Sequence, residues 1–131
     1  MITLRYQHLF NDGFILACHA LKNTRFRDFK APRNALLILQ GVEKETTTAK
    51  ELYKQQFEPF LEMGENGQPI AHKSDFAPFK IKEGKEEEYK TKFIEFLKTE
   101  FQIDAEKING DMILEAKLSP VMVGILADVF E

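Results

Sequence analysis

Between Lys22 and Arg33 the chain reads KNTRFRDFKAPR. Five cations, Lys22, Arg25, Arg27, Lys30 and Arg33, face a single acid, Asp28, so this stretch is net +4. The whole chain is net −3, which leaves −7 for the remainder. Phe26 and Phe29 are interleaved among the cations. Guanidinium and ammonium groups at this density can grip phosphates while aromatic rings stack on bases. The same residues also suit the acidic surface of a neighbouring subunit, or a solvated connector whose two rings tuck into the core. The five cations are therefore candidate contacts for an anionic partner. The acidic balance of the chain ranks a protein partner ahead of nucleic acid.

The other reactive side chains are sparse. His8, Cys18, His19 and His72 are the soft or borderline metal ligands, and none forms a CxxC, HxxxH or HxxE pair. Cys18 and His19 are adjacent, so on a helix they point about 100° apart. No metal or other cofactor is expected. Ser74 lies in HKSD, beside Asp75 and near His72, without a GxSxG elbow. Ser119 precedes Pro120 and reads as a helix cap. There is no GxxxxGK[ST] phosphate loop and no GxGxxG. Acids alternate with lysines, as in Glu43, Lys44 and Glu45, or Glu51 and Lys54, which is the pattern of a solvated helix face. No catalytic residue is nominated, and an enzyme is not expected.

At 131 residues, 44% apolar and 30% charged, the chain suits one soluble domain spanning residues 1–131. No apolar run reaches the ~20 residues that span a bilayer. The start, MITLRYQHLF, lacks the basic region, apolar block and cleavage site of a signal peptide. One cysteine points to a reducing cytoplasm. Twelve phenylalanines without a tryptophan suit a tightly filled core, or an interface continuous with it.

What must position these residues is a long helix. From Asn34 to Glu62, Leu39, Val42, Ala49, Tyr53, Phe57 and Phe60 recur at helical spacing along a rod of about eight turns. That stripe needs covering, either by the rest of the chain or by another copy, and is the expected partner-binding flank. Gly41 implies close approach of a neighbouring helix. Thr46, Thr47 and Thr48 imply a kink or an exposed turn, and Pro59 a bend or an end. Ile2, Leu4 and Tyr6 alternate as a strand. Asp12 is placed to cap a helix carrying Phe14, Ala17, Cys18 and Leu21 on one face. GENGQP, residues 64–69, is a chain reversal. Phe79 and Ile81 form a short strand, and Tyr89, Phe93, Phe96, Leu97 and Phe101 line one face of a helix from Gly84 to Phe101. Leu114, Ala116 and Leu118 alternate as a strand, and Ser119-Pro120 opens a final helix through Met122, Ile125, Leu126 and Val129. The expected fold is α+β, mostly α: a long central helix packed against two or three shorter helices, with a small sheet of short strands.

The segments ELYKQQFEPFLEMGENGQPI, EEEYKTKFIEFLKTEFQIDAEKI and EAKLSPVMVGILADVF, in that order, resemble a family of small proteins from tailed bacteriophages of Gram-positive hosts and their prophages. That family has no established function and carries no catalytic residues to transfer. Val123, Gly124 and Ile125 depart from its Leu- and Ala-rich final helix. The resemblance implies a phage origin, hence a bacterial host cytoplasm during infection, with presence in the virion left open. The function expected is a non-enzymatic one exercised through protein–protein contact, as a homo-oligomer or a virion, tail or assembly component. A small phage-encoded inhibitor of a bacterial enzyme or defence complex is the alternative. Nucleic-acid binding through residues 22–33 comes third.

Overall fold

The computed structural model describes residues 1–71, 79–115 and 118–131. The fold is α+β and mostly α, with one long helix and two small antiparallel sheets among the described residues. Two compact units divide it: Met1–Thr47 together with Glu100–Glu131, and Thr48–Thr99.

In the first unit, the alternation at the N-terminus makes strand β1 (Ile2–Arg5) and then stops, because Tyr6 opens a one-turn helix, α1 (Tyr6–Leu9). His8 ties that turn to its own cap and to the C-terminal segment. Its Nδ1 accepts from the Arg5 amide at 3.1 Å, which leaves Nε2 to donate to Asp128 at 2.9 Å. Helix α2 (Asp12–Lys22) is capped by Asn11, not by Asp12: the Asn11 Oδ1 accepts from the Gly13 amide at 3.0 Å. Asp12 is the first helical residue, where its charge complements the helix dipole. Phe14, Ala17, Cys18 and Leu21 are buried together, as their spacing requires.

Strand β2 (Arg25–Phe26) leads to helix α3 (Lys30–Phe57). Its beginning is held by Asp28, whose carboxylate accepts from the Ala31 amide at 3.3 Å. Ala31, Ala35, Ile38, Leu39 and Val42 are all buried, one flank at helical spacing. Strand β3 (Glu100–Ile103) pairs antiparallel with β1, Ile2 opposite Ile103 and Leu4 opposite Phe101, so the inward residues of both strands are buried. Gly41 is explained by this sheet and not by a helix. A Cβ there would lie 2.9 Å from the Ile103 Cγ2 and 3.0 Å from its Cγ1. Strand β4 (Ile113–Glu115) pairs with β2, leaving Ala116 outside the described residues. The Ser119 Oγ caps helix α5 (Pro120–Ile125), accepting from the Met122 amide at 3.2 Å. The final helix ends sooner than its apolar spacing suggests, because Val123 and Gly124 are poor helix formers. A 3-10 turn, Ala127–Val129, follows and still buries Leu126 and Val129.

In the second unit, Ala49, Tyr53 and Phe57 of α3 are buried with Leu61, Tyr89, Phe93 and Phe96. The helix continues unbroken through the threonines. The Thr46 and Thr47 hydroxyls donate back to the carbonyls of Val42 and Glu43, at 2.7 and 3.3 Å, which satisfies them inside the helix. Pro59 ends the regular helix at Phe57 and turns it into a 3-10 turn, Glu58–Phe60. The reversal at residues 64–69 uses Gly67 at φ +73°, a left-handed backbone suited to glycine. The expected Phe79–Ile81 strand consists of isolated bridges, Ala71 to Phe79 and Leu61 to Ile81. Helix α4 (Glu86–Leu97) stops before Phe101, which belongs to β3. Phe57 meets Tyr89, Phe93 and Phe96 edge-on, with ring centroids 5.2–5.8 Å apart. The Tyr53 and Tyr89 hydroxyls bond each other at 2.7 Å, so neither polar tip is left unsatisfied by burial.

Gly41→Ala should gain about 1 kcal/mol of helix propensity and lose about 1–3 kcal/mol to crowding against Ile103. Denaturant unfolding should therefore show a net loss in the native background. In an Ile103→Ala background the same change should stabilise; a loss of equal size in both backgrounds would refute the contact.

Candidate interaction surface

The stretch from Lys22 to Arg33 is braced from beneath. Thr24 is buried, and its hydroxyl donates to the Ala20 carbonyl at 2.9 Å, tying the exit of α2. Arg25 and Phe26 lie in β2, and the Arg27 amide donates to the Met112 carbonyl at 2.7 Å. Asp28 is occupied at the start of α3. The backbone is thus fixed on three sides, while its long side chains point outward.

All five candidate cations are exposed. Arg25 pairs with Glu115 across the small sheet at 3.6 Å. Among the described residues Lys22, Arg27, Lys30 and Arg33 enter no ion pair. Lys30 and Arg33 also occupy the first turn of α3, which contains no acid. Cations there oppose the helix dipole at about 0.3–1 kcal/mol each. The two rings part company. Phe26 is half-buried, and Phe29 is 97% exposed. A buried Phe is worth about 1.5–3 kcal/mol, and Phe29 forgoes it. The expectation that both rings tuck into the core therefore fails at Phe29. Phe29 lies in the bend that precedes α3, outside the buried flank that begins at Ala31.

The stripe is placed differently. Leu39, Val42, Ala49, Tyr53 and Phe57 are buried, and Phe60 is half-buried against Phe57 with centroids 6.3 Å apart. The chain itself supplies this cover. Five of these residues are core and Phe60 borders it, and the exposed counterpart is the basic stretch with its single outward ring.

Cys18 is fully buried, and burial pushes its thiol up to about 12, so it stays protonated and unreactive at neutral pH. His19 lies on the surface 3.7 Å from Glu43. Among the described residues no group of three or more His, Cys, Asp or Glu side chains could hold a metal ion. Ser119 is used as a cap. His72, Ser74 and Asp75 lie outside the described residues. No helix among the described residues is long and apolar enough to cross a membrane.

Phe29→Ala should leave the unfolding free energy within about 0.5 kcal/mol of wild type, whereas Phe57→Ala should cost about 3–5 kcal/mol. A large loss from Phe29→Ala would show that the ring is structural. The alkaline limb tests Cys18. The unfolded thiol ionises near its ordinary value of 9.0 and the folded one near 12. Stability is thus fully present below pH 9 and falls as pH rises toward 12, by up to about 1.4 kcal/mol per pH unit. Tyr53 and Tyr89, also raised by burial, add to the loss above their ordinary 10.0. Cys18→Ala should flatten the curve between pH 9 and 10; an unchanged slope there would contradict the assignment.

Compared with known proteins, the chain matches no family model, no curated protein and no solved structure.

Proposed function

We propose that this protein is a non-enzymatic contact protein, and that the braced stretch around Phe29 is its binding surface. The observation that carries this reading is the exposed Phe29 ring set among Arg27, Lys30 and Arg33, three cations without ion pairs among the described residues. An aromatic anchor with flanking arginines is the composition of an interface centre. Its cost to folding goes unrecovered within the chain, as expected of residues kept for a function.

A protein partner fits better than nucleic acid. Asp28 lies within the stretch, and Glu115 faces Arg25 from β4, so the positive field is interrupted where a phosphate backbone would run. Together with the resemblance of three segments to small proteins of tailed phages, this supports a homo-oligomeric or assembly component of a virion or tail. Such a component works in the bacterial host cytoplasm during infection.

Replacing Phe29 with photoreactive p-benzoylphenylalanine in the full chain, and irradiating it in infected cells, tests this. The expected product is a discrete cross-link to a second copy or to a phage structural protein. A cross-link to a host enzyme would replace assembly with inhibition, and one to nucleic acid would overturn the protein-contact reading. No cross-link above that of the same probe at exposed Lys107 would remove the surface altogether.

A further inference from the structure

The outer face of α4 offers a match to the Phe29 stretch. Glu87, Glu88, Thr91, Lys92 and Glu95 line a shallow depression of about 460 Å³ that is open to solvent. The surface these side chains present to the depression is almost all carbon, supplied by the stems of residues whose carboxylates belong to the same face. The one cation among them is already engaged: the Lys92 Nζ donates to the Gln56 carbonyl at 3.2 Å and sits 5.5 and 5.3 Å from the Phe57 and Phe60 ring centres. Glu88 and Glu95 make only exposed one-turn pairs, with Lys85 at 3.6 Å and Lys98 at 3.4 Å. Such pairs are weak and exchange readily. Glu87 enters no ion pair among the described residues.

We propose that the Phe29 stretch of one copy docks on the α4 face of a second copy. Phe29 covers the carbon floor, and Arg27, Lys30 and Arg33 meet Glu87, Glu88 and Glu95. The charge complementarity is three against three, with an apolar contact at the centre of each half, and it rests on the reading of the Phe29 stretch as a binding surface. Knob and socket are different surfaces of the same chain, so the contact is head-to-tail and a docked pair retains one free knob and one free socket. Repetition gives a ring where the rotation closes and an open chain where it does not.

The arrangement has a distinctive test in charge exchange. One full-length variant carries Arg27→Glu, Lys30→Glu and Arg33→Glu; the other carries Glu87→Lys, Glu88→Lys and Glu95→Lys. Circular dichroism establishes that each is folded, and sedimentation velocity reads association. Wild type should self-associate in a salt-sensitive manner. Each variant alone should lose at least about tenfold in affinity, because its own knob and socket now carry like charge. An equimolar mixture should associate again, because each variant's knob then meets a socket of opposite charge. Where either triple variant is unfolded, Phe29→Ala and Glu87→Gln/Glu95→Gln replace them, each expected to weaken self-association. A strictly monomeric wild type, an acidic-face variant that associates like wild type, or a silent mixture would overturn the self-contact. A Phe29 cross-link to another phage protein alongside any of these results would leave the binding surface standing and reject only the second copy as its occupant.

Discussion

Everything in this fold depends on covering one flank of α3. A helix of 28 residues carrying apolar groups at every third or fourth position draws most of its stability from packing that face, beyond its own hydrogen bonds. The flank is covered in two stretches, each within its own unit. Ala31 to Val42 are buried in the unit that contains the β1–β3 sheet, with Ile103 so close to Gly41 that no side chain fits between them. Ala49, Tyr53 and Phe57 are buried in the other, among the rings of Tyr89, Phe93 and Phe96. Burial of aromatic area dominates that second core, and the paired tyrosine hydroxyls let two polar groups enter it without an unsatisfied bond.

Residues outside this constraint are free to violate folding preferences, and the stretch from Lys22 to Arg33 does so three times. It places cations at the positive end of a helix dipole, it leaves four of five without an ion pair among the described residues, and it points a phenylalanine at solvent. Each departure is small. Their coincidence within a few residues, on a backbone fixed by Thr24, the β2–β4 pairing and Asp28, is what separates this surface from an ordinary connector.

Much of this was legible in the residues. The period of α3, the buried face of α2 and the Ser119 cap all follow from spacing and side-chain chemistry. The misplacements have local causes. Asn11 and Asp12 are both good caps, and sequence does not say which carbonyl begins the helix. Gly41 announces a close neighbour without naming its type, and the neighbour comes from residue 103, far along the chain. Phe101 fits the period of α4 and the alternation of β3 equally well, and pairing with Leu4 decides between them. The exposure of Phe29 was the hardest to see. Phenylalanine is buried by default, and a residue in the bend before α3 belongs to no helical or strand period that would mark position 29 as outward.

Hydrogen exchange on the wild-type protein, compared between dilute and concentrated solution, most directly tests whether the Phe29 stretch is an occupied surface. The account predicts that amides around Arg27–Arg33 and along the outer turns of α4 slow together as concentration rises, while the amides of the buried flank of α3 stay as they are. Identical exchange at both concentrations, or slowing confined to any other part of the chain, would contradict it.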